Sequence, residues 1–364
     1  MGNSKRVFIL GAGFSKPAGM PLATELLPLL VDRVDVEEMR KWLEWLRERL
    51  AWLTEDNPNA GSLDVNIEQV FHFAHFDIEA HRLRQHLAPV GRGDGPATPW
   101  NQAHSIEAWL SYLEEALRDV LSEQDDSSDL HPITRWSRTL NDDDAVLTFN
   151  YDTLSERAIS ETGRTWNHGF ECDGGCGSPV FKLHGSIDWI VADRCESFSK
   201  LDLLFDEPNS NRSGAHTGTV EDDARLWRCR NHGQMQRWIR GRGLQSVPKH
   251  ALIRRTVGIA GLGAYKELHQ VPGLGRVWAR GMRTLYEADH AVVVGFAMSD
   301  FDAMAQMQFA ELARARHRED RPLPVTVIDP CTDEQSQTRF RRVFRKVSFV
   351  PEPHESFDWS GLHP

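Results

Sequence analysis

Six short apolar runs constrain the fold of this chain more than any other feature of its sequence. Each run is four or five residues long and is bounded by glycine, aspartate or proline. Such short, mostly apolar strands are typical of a parallel sheet that is covered on both faces. Helical stretches fill the intervals, so the sequence predicts an α/β fold, a Rossmann-like parallel sheet with helices on both faces. The runs are Val7–Leu10, Ala145–Phe149, Val180–Leu183, Ala291–Val294, Val325–Ile328 and Val347–Val350.

A helical insertion is expected after the first run, over residues 31–139. Apolar residues recur there at spacings of three and four, the period of an amphipathic helix. The stretches at 36–53 and 102–121 either mediate contacts in a homo-oligomer or cover the sheet, and the sequence leaves both open. The rest divides into a Rossmann-like domain at 1–30, 140–190 and 245–364 and a small loop-rich module with a basic segment at 191–244.

Composition and charge restrict where the chain acts. Its 364 residues carry a formal net charge of −11, which disfavours bulk nucleic acid and anionic membranes as partners. No apolar run approaches the roughly 20 residues that a membrane helix needs. The first residues fit neither a signal peptide nor a myristoylation pattern, and five cysteines, an odd number, indicate reduced thiols. We therefore expect a cytoplasmic protein without membrane contact.

The basic segment at 225–255 runs against this acidic balance. No acidic residue occurs between Ala224 and Lys266, while arginines recur there with Trp227 and Trp238 among them. Arginines beside aromatic residues favour phosphates and stacked bases. The segment either binds a nucleic-acid trigger or a regulatory protein, or it is a solvated loop that offsets the acidic remainder.

Three polar clusters each follow an apolar run. Gly11-Ala12-Gly13-Phe14-Ser15 is either a phosphate-binding turn that opens a helix or an ordinary tight turn. Asn150 and Asp152 follow the second run, where they either face a ligand or cap the next helix. His184 follows the third run, and an imidazole exchanges a proton near neutral pH. Ligands of open α/β sheets bind at the carboxyl ends of the strands, so we expect the clusters to converge.

These motifs, in this order, resemble those of the sirtuin superfamily. Gly11–Ser15 with Gly19-Met20-Pro21 precedes Asn150-Tyr151-Asp152, and His184-Gly185 comes last. Two further blocks are similar to a bacterial sirtuin-like branch that hydrolyses NAD in antiphage defence. They are Asn66-Ile67-Glu68 and Val294–Asp302.

The resemblance implies that NAD is bound and consumed as a substrate. The turn from Gly11 to Ser15 would hold the diphosphate. Asn150 would hold the nicotinamide ribose or the attacking water, Asp152 would contact the carboxamide, and His184 would be the base near the ribose hydroxyls. The adenosine side would be formed by Gly295, Phe296, Ala297 and Asp329.

Two departures separate the sequence from the protein-deacylating sirtuins. Ala23-Thr24 stands where those enzymes carry a Phe-Arg pair. The two Cys-x-x-Cys pairs of their zinc module are also missing, so no metal is expected, although Cys229-x-x-His232 leaves zinc open. The cysteines concerned are Cys172, Cys176, Cys195 and Cys229.

The sequence thus predicts an NAD glycohydrolase that releases nicotinamide and ADP-ribose. The resemblance implies an abortive-infection effector that depletes NAD, and such an enzyme needs control by assembly or by a second component. Two alternatives stay open. One is a module that senses NAD or ADP-ribose without cleaving it, and the other is an NAD-dependent protein deacylase.

Overall fold

The computed structural model describes residues 4–34, 37, 40–44, 66–73, 103–170, 177–192, 201–205, 225–229, 255–260, 268, 271–299, 302–331 and 333–362. The strands are β1 (Arg6–Leu10), β2 (Ala145–Thr148), β3 (Trp166–Asn167), β4 (Ser178–Lys182), β5 (Gly185–Ala192), β6 (Leu201–Phe205), β7 (Arg225–Cys229), β8 (Arg255–Ile259), β9 (His290–Val294), β10 (Pro324–Ile328) and β11 (Lys346–Val350). The helices are α1 (Ala12–Ser15), α2 (Ala23–Arg33), α3 (Ala103–Ser127), α4 (His131–Ser137), α5 (Leu154–Glu161), α6 (Leu274–Glu287), α7 (Ala303–Arg318) and α8 (Glu334–Val343). Residues 40–44 and 67–73 are also helical, and 3-10 turns lie at Lys16–Ala18 and Trp359–Gly361.

Seven strands form one parallel sheet in the order β11-β10-β9-β1-β2-β4-β3. All six apolar runs correspond to strands of this sheet, which confirms the predicted Rossmann-like α/β fold. Only the two-residue edge strand β3 has no counterpart among the runs. It is too short for its composition to stand out from the neighbouring turn.

The sheet is covered by helices on both faces. Side chains alternate across a strand, and in β1 Phe8 and Leu10 enter one core while Val7 and Ile9 enter the other. The first core is completed by α2 to α5 and by the helices at 40–44 and 67–73, and the second by α6, α7 and α8. The described parts of the amphipathic stretches at 36–53 and 102–121 therefore cover the sheet, and the oligomer contacts stay a prediction.

A second, antiparallel sheet in the order β6-β7-β5-β8 lies in the region that the sequence presents as loop-rich. The sequence pattern does not predict these strands. β7 has the sequence Arg-Leu-Trp-Arg-Cys. Its two arginines are typical of a solvated loop, and the sequence alone does not reveal their partners. The Arg228 guanidinium contacts the Asp188 carboxylate at 2.6 Å and lies 4.5 Å from the centroid of the Trp166 ring.

The boundaries of the expected domains remain predictions. β8 and most of β5 lie in ranges assigned to the Rossmann-like domain, and they pair in this second sheet. Within the described part of the chain, no helix is both long and apolar enough to cross a membrane.

Candidate active site

The loops that follow β1 and β9 pack against each other at the carboxyl edge of the sheet. In the strand order β1 is followed by β2 on one side, whereas its neighbour β9 is followed by β10 on the other, and a crevice forms at such a switch point. Gly295 has φ +58°, and a Cβ there would lie 2.2 Å from the Phe14 nitrogen. A Cβ on Gly11 would lie 2.6 Å from the Gly295 oxygen. These glycines are therefore required by the contact between two backbones.

The backbone amides of the glycine turn are largely engaged within the protein. The Gly11 N–H donates to the Val294 carbonyl at 3.1 Å, and the Gly13 N–H donates to the Gly295 carbonyl at 2.9 Å. These two amides are therefore already bonded within the protein, and the assignment of the turn to a diphosphate stays a prediction. The Ala12 N–H remains available to a ligand, because the first position of a helix has an N–H without an intrahelical partner.

Phe14 is a core residue and does not line the crevice. Its ring is fully buried, meets Trp136 edge-on at 4.8 Å and stacks on His354 at 5.2 Å. The assignment of Phe14 to the binding site is corrected accordingly. The apolar ring is buried because α1 turns it into the first core.

Asn150 connects the loop after β2 to the glycine turn. Its Nδ2 donates to the Gly11 carbonyl at 2.9 Å and to the Ser15 hydroxyl at 3.0 Å, and its backbone N–H donates to the Thr148 hydroxyl at 3.1 Å. Both amide hydrogens are thus used to orient the side chain. The Oδ1 atom is the acceptor that this arrangement leaves for a ligand.

Asp152 is buried beside Ser15, whose hydroxyl is hydrogen-bonded to it. Burial raises the pKa of Asp152 to about 6, the Asp125 carboxylate acts in the same direction, and Lys182 opposes it. Asp152 Oδ1 also accepts the Leu154 N–H at 3.1 Å at the start of α5. The residue therefore caps a helix, as one interpretation of the sequence expected, and also faces the crevice.

Lys182 fixes the loop that carries Asp152. This side chain is fully buried at the end of β4, donates to the Asp152 carbonyl and forms an ion pair with the buried Glu156 at 3.2 Å. The sequence reasoning did not assign a role to Lys182. A lysine at the end of an apolar run is a usable signal, because lysines are rarely buried unless they are paired.

His184 is held between the two sheets, in the connection from β4 to β5. Its carbonyl accepts the Ala260 N–H at 2.8 Å, and its ring meets Phe149 edge-on at 5.0 Å. The Nε2 atom lies 3.4 Å from Oδ1 of Asp302, and both side chains are buried. Ser299 donates its hydroxyl to the other oxygen of Asp302 at 3.2 Å.

Asp302 is thus a site residue that the sequence reasoning missed. It lies inside the block Val294–Asp302 on which the resemblance rests, and an acidic residue just after the glycine loop of a strand was the available signal. Its position at the start of α7 places the carboxylate at the carboxyl edge of the sheet.

One cavity of 580 Å³ unites these groups. All of the predicted site residues except Phe14 line it, which brings together Asn150, Asp152 and His184 with the residues expected on the adenosine side. Those expected residues are Gly295, Phe296, Ala297 and Asp329. Burial raises the pKa of the Asp329 carboxyl, and the Cys331 N–H donates to it at 2.8 Å.

Two segments outside the predicted site close the cavity. The N-terminus of the helix at 67–73 contributes Asn66 and Glu68, and Asn66 caps this helix by accepting the Glu68 N–H at 2.8 Å. The segment before the C-terminus contributes His354 and Glu355. No sequence signal pointed to His354, since it lies in an irregular segment that only the folded chain brings to the crevice.

Some predicted features lie outside the described residues. These are Cys172, Cys176 and Cys195, and most of the basic segment at 225–255. Cys229 is described only as a backbone position of β7. The zinc alternative and the nucleic-acid alternative therefore stay predictions.

The fold and the cavity define an α/β protein with a Rossmann-like ligand site at the switch point of a parallel sheet. Solved structures similar to it include Sir2 with the inhibitor EX-527, 2'-O-acetyl-ADP-ribose and a deacetylated p53 peptide, at 12% identity, 97% coverage of this chain, 90% of that chain and a TM-score of 0.38. Sir2 with a p53 peptide and NAD+ is 14% identical, with coverages of 97% and 89% and a TM-score of 0.38.

Sir2Af2 bound to a myristoylated histone peptide is 13% identical, with coverages of 97% and 86% and a TM-score of 0.34. At such identities and TM-scores the fold assignment rests on the strand order given above. No protein-family model matches the chain, and no curated protein matches it.

Proposed function

We propose that the cavity binds NAD and that the protein hydrolyses the bond between nicotinamide and ribose, as a sirtuin-like NAD glycohydrolase. One observation carries this proposal: Asn150, Asp152 and the His184–Asp302 pair line one cavity together with the glycine turn. Its 580 Å³ lies within the range of roughly 300 to 1,000 Å³ that small-molecule sites occupy. The sequence resemblance described above supports NAD as the substrate and cleavage of its glycosidic bond as the reaction.

NAD supplies an N-glycosidic bond whose leaving group is neutral nicotinamide. In hydrolysis the oxygen of water bonds to the ribose carbon, nicotinamide leaves with the bonding electron pair, and one proton is released. The protein has to orient the two reactants and accept that proton. No nucleophile of its own is required.

Asn150 suits the orienting role. Because its Nδ2 is fixed on Gly11 and Ser15, its Oδ1 presents a rigid acceptor to a water molecule or a ribose hydroxyl. His184 suits the role of proton acceptor. A carboxylate 3.4 Å away, that of Asp302, stabilises the imidazolium that the transfer produces.

The charges of the lining match the cationic end of NAD. The acidic side chains of Glu68, Asp152 and Asp302 face the cavity, and a carboxylate at Asp152 accepts a hydrogen bond from a carboxamide N–H. The diphosphate has fewer partners, namely the Ala12 amide and Lys16, whose ammonium is 2.6 Å from the Glu25 carboxylate. The protein thus binds NAD mainly through its sugar and nicotinamide ends.

The test is nicotinamide release from NAD by the purified protein and by Asn150→Ala and His184→Ala. We expect each substitution to lower the rate by about 100-fold or more, because positioning and proton transfer each contribute that much. Thermal unfolding of each variant reports whether it is folded. Undiminished release by both folded variants would contradict the assigned roles.

The same assay separates the alternatives. Release that occurs only with an acyl-lysine peptide would indicate a deacylase, and stoichiometric NAD binding without any release would indicate a sensor. We further propose that the protein acts as a cytoplasmic homo-oligomer that depletes NAD during phage infection, under the control of a partner. Infection of cells that express the wild type or Asn150→Ala, with NAD measured over time, tests this role.

A further inference from the structure

A second cavity lies on the first-core side of the sheet, between α4 and α5. It has a volume of 480 Å³, and three arginines, Arg135, Arg138 and Arg157, line it together with His131. We propose that this cavity binds a phosphate group, either as free phosphate or as the phosphomonoester of a small molecule. The guanidinium fork matches phosphate oxygens in pairs, which makes arginine the preferred residue for such anions.

The two acidic residues of this cavity form no ion pair with its arginines within the part of the chain that the structure describes. Asp129 accepts the His131 N–H at 2.9 Å, and Glu161 accepts the Thr134 hydroxyl at 3.2 Å, so both carboxylates are bonded to their own surroundings. Arg138 is exposed and has no ion pair among the residues that the structure describes. Its guanidinium is therefore a group of this cavity that is left to pair with an anionic ligand.

Arg157 connects this cavity with the first one. Its Nη1 lies 2.9 Å from Oδ1 of Asp125, which is fully buried. Asp125 in turn accepts the Thr153 hydroxyl at 2.6 Å, and Thr153 adjoins Asp152. A phosphate that draws the guanidinium away leaves the Asp125 charge less compensated beside the site.

Arg135 provides a second connection. Its Nη1 donates to the Glu355 carbonyl at 3.1 Å, and Glu355 lines the first cavity. Occupancy of the second cavity therefore perturbs both the loop after β2 and the segment around 355. We expect the bound anion to inhibit NAD turnover, a consequence that rests on the proposed function, whereas anion binding itself does not.

The experiment measures binding without NAD. Inorganic phosphate and ribose 5-phosphate are titrated by calorimetry into the wild type, Arg138→Gln and the matched control Arg345→Gln, at constant ionic strength. Arg138 and Arg345 are both exposed, so both variants should fold. We expect Arg138→Gln to weaken binding by about tenfold or more, as the loss of a charge-assisted hydrogen bond does, and Arg345→Gln to leave it unchanged.

The tighter of the two ligands identifies the source of the phosphate group. The connection through Arg157 is tested by Asp125→Asn, which should bind phosphate more tightly because it releases the guanidinium. No binding by the wild type, or equal binding by Arg138→Gln and Arg345→Gln, would overturn the proposal. Either result would leave the NAD assay and its interpretation intact.

Discussion

Asp302 is the residue whose surroundings say most about how His184 would act. The carboxylate is held by Ser299 and lies 3.4 Å from the imidazole, so a proton taken up by the ring is stabilised where it arrives. Asp302 is therefore a positioning residue that acts through His184.

We predict that Asp302→Asn lowers the rate of nicotinamide release by roughly 10- to 100-fold, because a misplaced base costs about that much. The acid limb of the pH–rate profile should also move to lower pH, since the imidazolium loses its counter-charge. Asp320→Asn, at the other end of α7, is the matched control and should behave like the wild type. A variant with a lowered rate but an unchanged pH profile would argue for a purely structural role.

For single residues, the sequence predicts site residues that directly follow a strand. It misses those that only the folded chain brings to the site from a distant segment. Asn150, Asp152 and His184 each follow an apolar run, so their convergence on one edge is a consequence of parallel strands. Phe14 was assigned to the site although it is an apolar ring that enters the core. His354 could not be found, because the contacts that bury it are made by residues more than 300 positions earlier in the chain, such as Phe14.

At the scale of elements, the loops after β1 and β9 fix each other's backbone conformation through close contact. The backbone of the turn that opens α1 contacts the backbone after β9 closely enough that glycine is required on both sides. The same contact uses the amides of Gly11 and Gly13. The geometry of the cavity floor thus follows from packing between loops.

We predict that Gly295→Ala is far more damaging than Gly163→Ala. Both glycines have positive φ, +58° and +75°, but a Cβ at Gly163 meets nothing within 4 Å. The strain alone costs about 1 to 2 kcal/mol, so Gly163→Ala should lose about that much stability and keep its activity. Gly295→Ala adds overpacking and should lose about 3 kcal/mol or more.

Chemical unfolding measures both losses, and nicotinamide release reports the cavity. Equal losses of stability in the two variants would show that the contact between the loops relaxes easily.

The strands of the parallel sheet that the sequence predicts each contain a run of mostly apolar residues, which is typical of a sheet covered on both faces. The antiparallel sheet is not, because its polar positions find partners in distant elements. Arg228 in β7 is an example, since Asp188 of β5 and Trp166 of β3 surround it. Local composition contains no information on such pairings.

For the whole molecule, two buried groups give opposite pH dependences of stability. Burial raises the pKa of Asp152 from 3.8 to about 6, so the folded protein binds a proton in this window and gains stability as the pH falls. Burial lowers the pKa of His168 from 6.5 to about 4, so the unfolded chain binds the proton first and stability is lost as the pH falls. The two effects are each about 3 kcal/mol and largely cancel.

We predict that single substitutions reveal the two slopes. Relative to the wild type, Asp152→Asn should gain about 3 kcal/mol at pH 7 and nothing below pH 4, because the protonated carboxyl carries no burial penalty. His168→Gln should show the reverse, with its relative gain confined to acidic pH. Free energies of unfolding between pH 4 and 7 test this, with the exposed Asp143→Asn as control. Parallel curves for all four proteins would refute it.

The buried ammonium group of Lys182 also determines which walls of the cavity can move. Withdrawing the loop after β2 would strand a positive charge and the Glu156 carboxylate in an apolar interior, which costs several kcal/mol for each ion. We therefore expect this wall of the cavity to stay fixed. We expect the walls that move to be the segments 66–68 and 353–355, which line the cavity from outside the parallel sheet.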